Sequence, residues 1–305
     1  MRHVAVLALL VTVLLSGVRL NAAIHDHDAA PGKGYTAMYR LFLPEDVGRV
    51  RSVVVLVPGL NGDGRGMAGG AVWQAFATRN RAALFACFMK GDDYYVMRRG
   101  MGRTLLKALE SLAGETGHLE VASAPLAFWG HSAGGQFNFN FACEYPDRVL
   151  AFVVNKGAYY EGDPGVRTRT VPALWIAGGK DTDLRIDNIT SRYTENRRRG
   201  ALWGLLVEPG VGHGVGRSKE IGMAFIEEAM TLRIGSDGRL RSVDSAPGDK
   251  GWLGDLNTRA IEKCPSAARP GDRTKTWFPG EGTARLWAEI TGGDGFAMQK
   301  PSSGK

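Results

Sequence analysis

The chain has 305 residues, 44% of them hydrophobic, and its 38 Lys and Arg against 31 Asp and Glu leave a formal net charge of +7. That length and apolar content suffice for one large core, and no repeat or low-complexity tract interrupts it, so an array or a largely disordered chain is excluded. The basic residues are scattered, apart from Arg197, Arg198 and Arg199 at an expected helix end, and no nucleic-acid motif accompanies them. Nucleic acid is therefore not an expected partner, whereas an acidic matrix or uronic-acid polymer is compatible with the charge.

Residues 1–23 stand apart. Arg2 and His3 precede an apolar run at 4–15, and Asn21, Ala22 and Ala23 offer a small-residue cleavage site, the layout of a secretory signal peptide. The run is short for a bilayer span, so export without stable membrane insertion after cleavage is expected. Loss of Arg2 and Arg19 would lower the net charge from +7 to +5. No cysteine lies near the cleavage site, which argues against a lipid anchor.

Alternating residues at 35–43 predict the strand that opens the main unit, and apolar runs at 51–57, 82–88, 124–129, 149–154, 172–177 and 202–207 read as further strands. Helical stretches near 66–79, 101–113, 133–145, 187–199 and 218–233 alternate with them. This is the pattern of an α/β fold with a mostly parallel sheet and helices on both faces, spanning residues 24–233. Only a short connection separates the runs at 149–154 and 172–177, which leaves no room for a large cap domain.

Residues 234–305 read as a C-terminal extension. The segment 234–250 is rich in Gly, Ser and Asp, whereas 251–292 carries Trp252, Leu253, Trp277, Phe278 and Trp287. A disordered tail rarely holds three tryptophans, so 251–292 is expected to dock on the main unit near the site mouth, and 293–305 to be disordered. A carbohydrate-contacting appendage is the alternative. Cys87, Cys143 and Cys264 have no metal-binding spacing. In an exported chain one pair could oxidise, although Cys87, in an apolar strand, reads equally as core.

Gly130, His131, Ser132, Ala133 and Gly134 fill the pattern GxSxG between the run at 124–129 and a helical stretch. That is the setting of a nucleophile elbow, where a sharp strand-to-helix turn exposes one serine hydroxyl. The fold that uses this elbow orders its triad as serine, acid, histidine. Of the six histidines, His3, His25, His27, His118 and His131 precede Ser132, and His213 alone follows it, in a glycine-rich loop after the run at 202–207. Asp181, on the first turn after 172–177, is the expected acid, with Asp183 as the fallback; Asp187 reads as a cap or a solvated charge. For the oxyanion, the amide of Ala133 follows from the elbow, and the loop from Pro58 to Gly64 supplies the second donor, Leu60 or else Asn61. The loop lacks the GK[ST] ending of a phosphate loop and the carboxylates of a calcium loop.

Together these segments resemble the α/β-hydrolase superfamily, and within it secreted esterases related to dienelactone hydrolases, polyhydroxyalkanoate depolymerases and feruloyl or acetylxylan esterases. The resemblance spans residues 35–233 and rests on VPGLNGDG, WGHSAGG, WIAGGKD and EPGVGHG, in that order. Many relatives carry a histidine before the first oxyanion-loop glycine, where this chain has Pro58. The resemblance implies ester hydrolysis through an acyl-enzyme, with no cofactor and no metal. A lidless site suits a bulky or polymer-linked ester. Asn61, Asn155, Lys156, Tyr159 and Tyr160 are candidate substrate contacts, the two tyrosines reading equally as packing residues. A serine peptidase or thioesterase would use the same residues, and a non-catalytic binding protein on this scaffold is the reading from another class.

Overall fold

The computed structural model describes residues 23–243, 251–265, 269 and 271–292. Its strands are β1 (Ala23–Ala29), β2 (Thr36–Leu43), β3 (Ser52–Val57), β4 (Ala82–Lys90), β5 (Leu126–His131), β6 (Val149–Asn155), β7 (Ala173–Gly178) and β8 (Trp203–Glu208). They form one sheet in the order β1-β2-β4-β3-β5-β6-β7-β8, antiparallel at β1-β2 and β2-β4 and parallel from β4 onward. The helices α1 (Ala71–Asn80), α2 (Met101–Thr116), α3 (Ala133–Glu144), α4 (Val166–Arg169), α5 (Asp183–Arg198) and α6 (Ser218–Arg233) connect them.

The central strands β3, β5, β6 and β7 are mostly apolar and buried at every position except His131, because both faces of the sheet are covered. Their two-residue period divides them between two cores: Val53, Val55 and Val57 of β3 join residues of α2, α3 and α5, while Val54 and Leu56 join residues of α1 and α6. Only the four-residue α4 interrupts the connection between β6 and β7, so no cap domain is present there.

Three sequence expectations need correction. The main unit opens one strand earlier than residue 35, since β1 pairs along β2 from Ala23↔Leu43 to Ala29↔Ala37. Its sequence AIHDHDA is only half-buried at alternate positions, and Asp26 holds Arg40 of β2 through two 2.7 Å bonds, so an edge strand of this polarity carries no apolar run to find. Ala23 belongs to β1, while residues 1–22 of the expected signal peptide lie outside the described residues. The helix expected near 187 starts at Asp183, which is exposed in its first turn. Arg197, in its last turn as expected, is buried.

The extension contains β9 (Trp252–Gly254), β10 (Ile261–Lys263) and β11 (Thr276–Phe278), paired in the order β10-β9-β11, and then α7 (Glu281–Gly292). It lies against β8, the last strand of the large sheet. Leu205 N donates to Thr276 Oγ1 at 2.7 Å, and Trp287 Nε1 donates to Leu205 O at 2.8 Å. Arg197 donates to the carbonyls of Asp272 and Lys275, at 3.0 and 2.8 Å. Trp277, Phe278 and Trp287 are buried in the same core as α6, so they present no face to a sugar. The expected disorder at 293–305 concerns residues outside the described ones. Neither Cys87 nor Cys143 is in a disulfide.

Candidate active site

The turn from β5 into α3 is fixed by close backbone contacts. A Cβ on Gly134 would lie 2.3 Å from Val57 O, and one on Gly130 would lie 2.5 Å from the Gly134 carbonyl carbon. No side chain fits at either position. Between them Ser132 has φ 56° and ψ −122°, a backbone conformation that L-residues rarely adopt. Its amide donates to Asn155 O at 2.7 Å, which ties the turn to the end of β6.

Asp181 follows β7 in a tight turn, its amide bonded to Gly178 O at 3.0 Å. Its carboxylate accepts the Thr182 amide at 2.8 Å on Oδ1 and faces His213 Nδ1 at 2.8 Å on Oδ2. Burial pushes this carboxyl up, but the bonds from His213 and Thr182, with the charges of His213 and Arg185, outweigh it and hold it below the usual carboxylate range. The other ring nitrogen, His213 Nε2, is 3.0 Å from Ser132 Oγ. Ser132, His213 and Asp181 thus form one continuous hydrogen-bonded line at the carboxyl ends of β5, β8 and β7. Asp183 and Asp187 are exposed and make no contact with His213.

Two further groups hold the loop at 209–217 that carries His213. His131 Nε2 donates to the His213 carbonyl at 2.7 Å; since a carbonyl only accepts, the proton of a neutral His131 sits on Nε2. Burial lowers the His131 pKa, more than the bond to His213 raises it. Below the loop, Glu208 Oε1 accepts the Arg217 amide at 2.5 Å, and Oε2 lies 2.9 Å from Lys156 Nζ. Lys156 also reaches Asn155 Oδ1 at 3.3 Å, and Asn155 Nδ2 donates to Ser218 Oγ at 2.6 Å. Gly216, at φ +55°, covers Glu208 so closely that a Cβ would lie 2.3 Å from Oε1.

This network overturns the reading of Lys156 and Asn155 as substrate contacts, since both are fully buried. Tyr160 packs edge-on against Phe139 and Trp175, with its hydroxyl buried and unpartnered, whereas Tyr159 is 54% exposed. His131 and Glu208 were not singled out from the sequence. The available signal for Glu208 is a carboxylate closing the apolar strand WGLLVE.

The loop from Pro58 to Gly64 passes beside the nucleophile, a Cβ on Gly59 lying 3.6 Å from Ser132 Cβ. Tyr94 donates to Pro58 O at 2.7 Å, and Asn61 Oδ1 accepts the Gly91 amide at 3.0 Å, so Asn61 braces its loop. Outside helices and strands, the Leu60 and Ala133 amides donate to no backbone acceptor among the described residues. Among those residues, no group of three His, Cys, Asp or Glu could hold a metal, and no helix is long and apolar enough to cross a membrane.

No protein-family model matches the sequence, and no curated protein matches it. Solved structures do. A ferulic acid esterase is 14% identical with a TM-score of 0.52, over 69% of this chain and 99% of that one. The hyperthermophilic esterase of the archaeon Pyrobaculum calidifontis is 17% identical with a TM-score of 0.51, over 70% and 87%. The Pyrococcus furiosus esterase Pf2001 is 13% identical with a TM-score of 0.51, over 70% and 92%. At such identities the likeness speaks for architecture, and together with the parallel sheet and its covering helices it shows that this chain has the α/β-hydrolase fold.

Proposed function

We propose that the protein is a serine hydrolase of carboxylic esters, in which Ser132 is the nucleophile, His213 the general base and Asp181 its orienting acid. The observation that carries this reading is the line from Ser132 Oγ to His213 Nε2 at 3.0 Å and from His213 Nδ1 to Asp181 Oδ2 at 2.8 Å. His213 takes the Ser132 proton as Oγ bonds to the ester carbonyl carbon, and the carbonyl electron pair moves to oxygen. The amides of Ala133 and Leu60 are the donors for that oxyanion. Collapse expels the alcohol, which leaves with the proton from His213, and Ser132 stays acylated. Water then adds by the same route, gives its proton to His213, and the carboxylic acid departs as Ser132 regains its proton. Asp181 keeps the Nδ1 proton in place and stabilises the imidazolium in both halves.

The short β6–β7 connection supports a bulky or polymer-linked ester, with exposed Tyr159 as a contact at the rim. Export after cleavage near Ala23 belongs to the same reading, and amino-terminal sequencing of the mature protein tests it.

The direct test is Ser132→Ala, assayed on p-nitrophenyl esters, feruloyl esters, acetylated xylan and peptide anilides. Turnover of the preferred ester should fall by about a millionfold, with the melting temperature preserved. Retained turnover, labelling by a fluorophosphonate at another residue, or a wild-type preference for anilides would overturn the assignment.

A further inference from the structure

The amino ends of the same strands hold a second concentration of charge. A cavity of about 420 Å³ opens there, lined by Arg49 and Arg51 ahead of β3, Arg81 ahead of β4, Arg148 ahead of β6, and Arg239 after α6. None of these five guanidinium groups is in a salt bridge among the described residues. Three carboxylates also line the cavity, each bonded to a group other than these guanidinium groups. Glu120 accepts the Val50 amide at 2.8 Å and faces His118 Nδ1 at 3.1 Å. Asp147 pairs with Arg167, and Asp237 accepts the Arg239 backbone amide at 3.0 Å.

The arginines are under-used as donors. Arg148 gives Nη2 to Ala122 O at 2.9 Å but leaves its Nε buried with no acceptor. Exposed Arg81 makes one 3.3 Å bond to Val47 O, and the exposed side chains of Arg49, Arg51 and Arg239 make no hydrogen bond among the described residues. Buried or clustered guanidinium groups ordinarily meet carboxylate, sulfate or phosphate oxygens two at a time. Here five of them surround a volume in the usual range for a small-molecule site.

We propose that this cavity binds a small multivalent oxyanion, a phosphate or sulfate ester, at a site separate from the one that holds Ser132. Five arginines around it exceed what one tetrahedral anion can engage, which is the reason for multivalency. The six-residue β5 separates the two ends of the sheet by about 20 Å. An anion at the arginines therefore cannot touch the reacting ester, and turnover of a short ester should not depend on them.

Calorimetric titration of the full chain with sodium tripolyphosphate, at fixed ionic strength, tests the site. One equivalent should bind, at least tenfold tighter than orthophosphate, and the triple variant Arg49→Gln/Arg51→Gln/Arg239→Gln should weaken it tenfold or more. A control that removes equal charge elsewhere, Arg103→Gln/Lys107→Gln/Lys219→Gln, should keep the affinity, and both variants should hydrolyse a short p-nitrophenyl ester at the wild-type rate. Sucrose octasulfate, titrated in parallel, distinguishes a sulfate from a phosphate source by which probe depends more strongly on the three arginines. Non-saturating binding, several equivalents bound, or equal losses in the two variants would reduce the effect to net charge and overturn the proposal.

Discussion

Ser132 and His213 sit 3.0 Å apart, yet the chain holds them in opposite ways. The turn at Ser132 is fixed by exclusion, through Gly134 pressed against the backbone of Val57 and Pro58 and Gly130 pressed against that of Gly134. The loop at His213 is fixed by attraction, through Asp181 on the ring, His131 on the carbonyl, and Glu208 on the Arg217 amide. Steric fixing tolerates no added atom. Polar fixing fails when a partner is lost.

Variants on each side should separate the two. On the loop side, Asp181→Asn should cost about 10⁴-fold in kcat, because an amide cannot stabilise the imidazolium and favours the wrong tautomer; Asp183→Asn should leave kcat near wild type. Reversed severities in steady-state kinetics would move the acid to Asp183. On the turn side, Gly134→Ala should lower stability by about 3 kcal/mol or more, since its Cβ meets backbone oxygens that cannot swing away. Chemical denaturation that finds it as stable as wild type would show that the turn has slack.

The Lys156–Glu208 pair sharpens the contrast. Removing one partner, as in Glu208→Leu, leaves a buried ammonium and should cost about 3–5 kcal/mol. In Lys156→Met/Glu208→Leu most of that stability should return, while kcat stays depressed, because the Arg217 amide still lacks its acceptor. Recovery of kcat along with stability would mean that Glu208 does not position the loop.

His131→Gln should have the smallest effect, a loss of about ten- to a hundredfold in kcat with KM little changed, as the His213 backbone loses one brace. It also carries a pH signature. The folded His131 value lies below the ordinary 6.5, so the unfolded chain takes up its proton first as the pH falls. His131 therefore contributes stability that is complete above 6.5 and is lost on the way down to its folded value. Denaturation midpoints of His131→Gln should fall less steeply below 6.5 than those of wild type, and parallel curves would refute the burial argument.

Much of this geometry was readable from residue order. Ser132 announces its turn by flanking glycines, and only one histidine follows it. The apolar runs marked the buried strands because both faces are covered. The misread residues are those whose surroundings come from afar. Lys156 follows a strand and reads as exposed; Glu208, distant in sequence, buries it. His131 lies inside the motif, but its partner is a carbonyl, which any residue at 213 would provide. β1 was missed because an edge strand with HDHD at its centre has no apolar signature.

The cover over β8 has a consequence in time. Leu205 N and O are satisfied by Thr276 and Trp287, which leave the ribosome some 70 to 80 residues later. At cellular elongation rates that interval lasts on the order of ten seconds. Throughout it the sheet of the nascent chain ends in an open strand, able to accept a strand from another chain. α7 is thus a helix that closes β8 against neighbouring chains, and any slowing of synthesis between residue 208 and α7 lengthens the period in which association competes with folding.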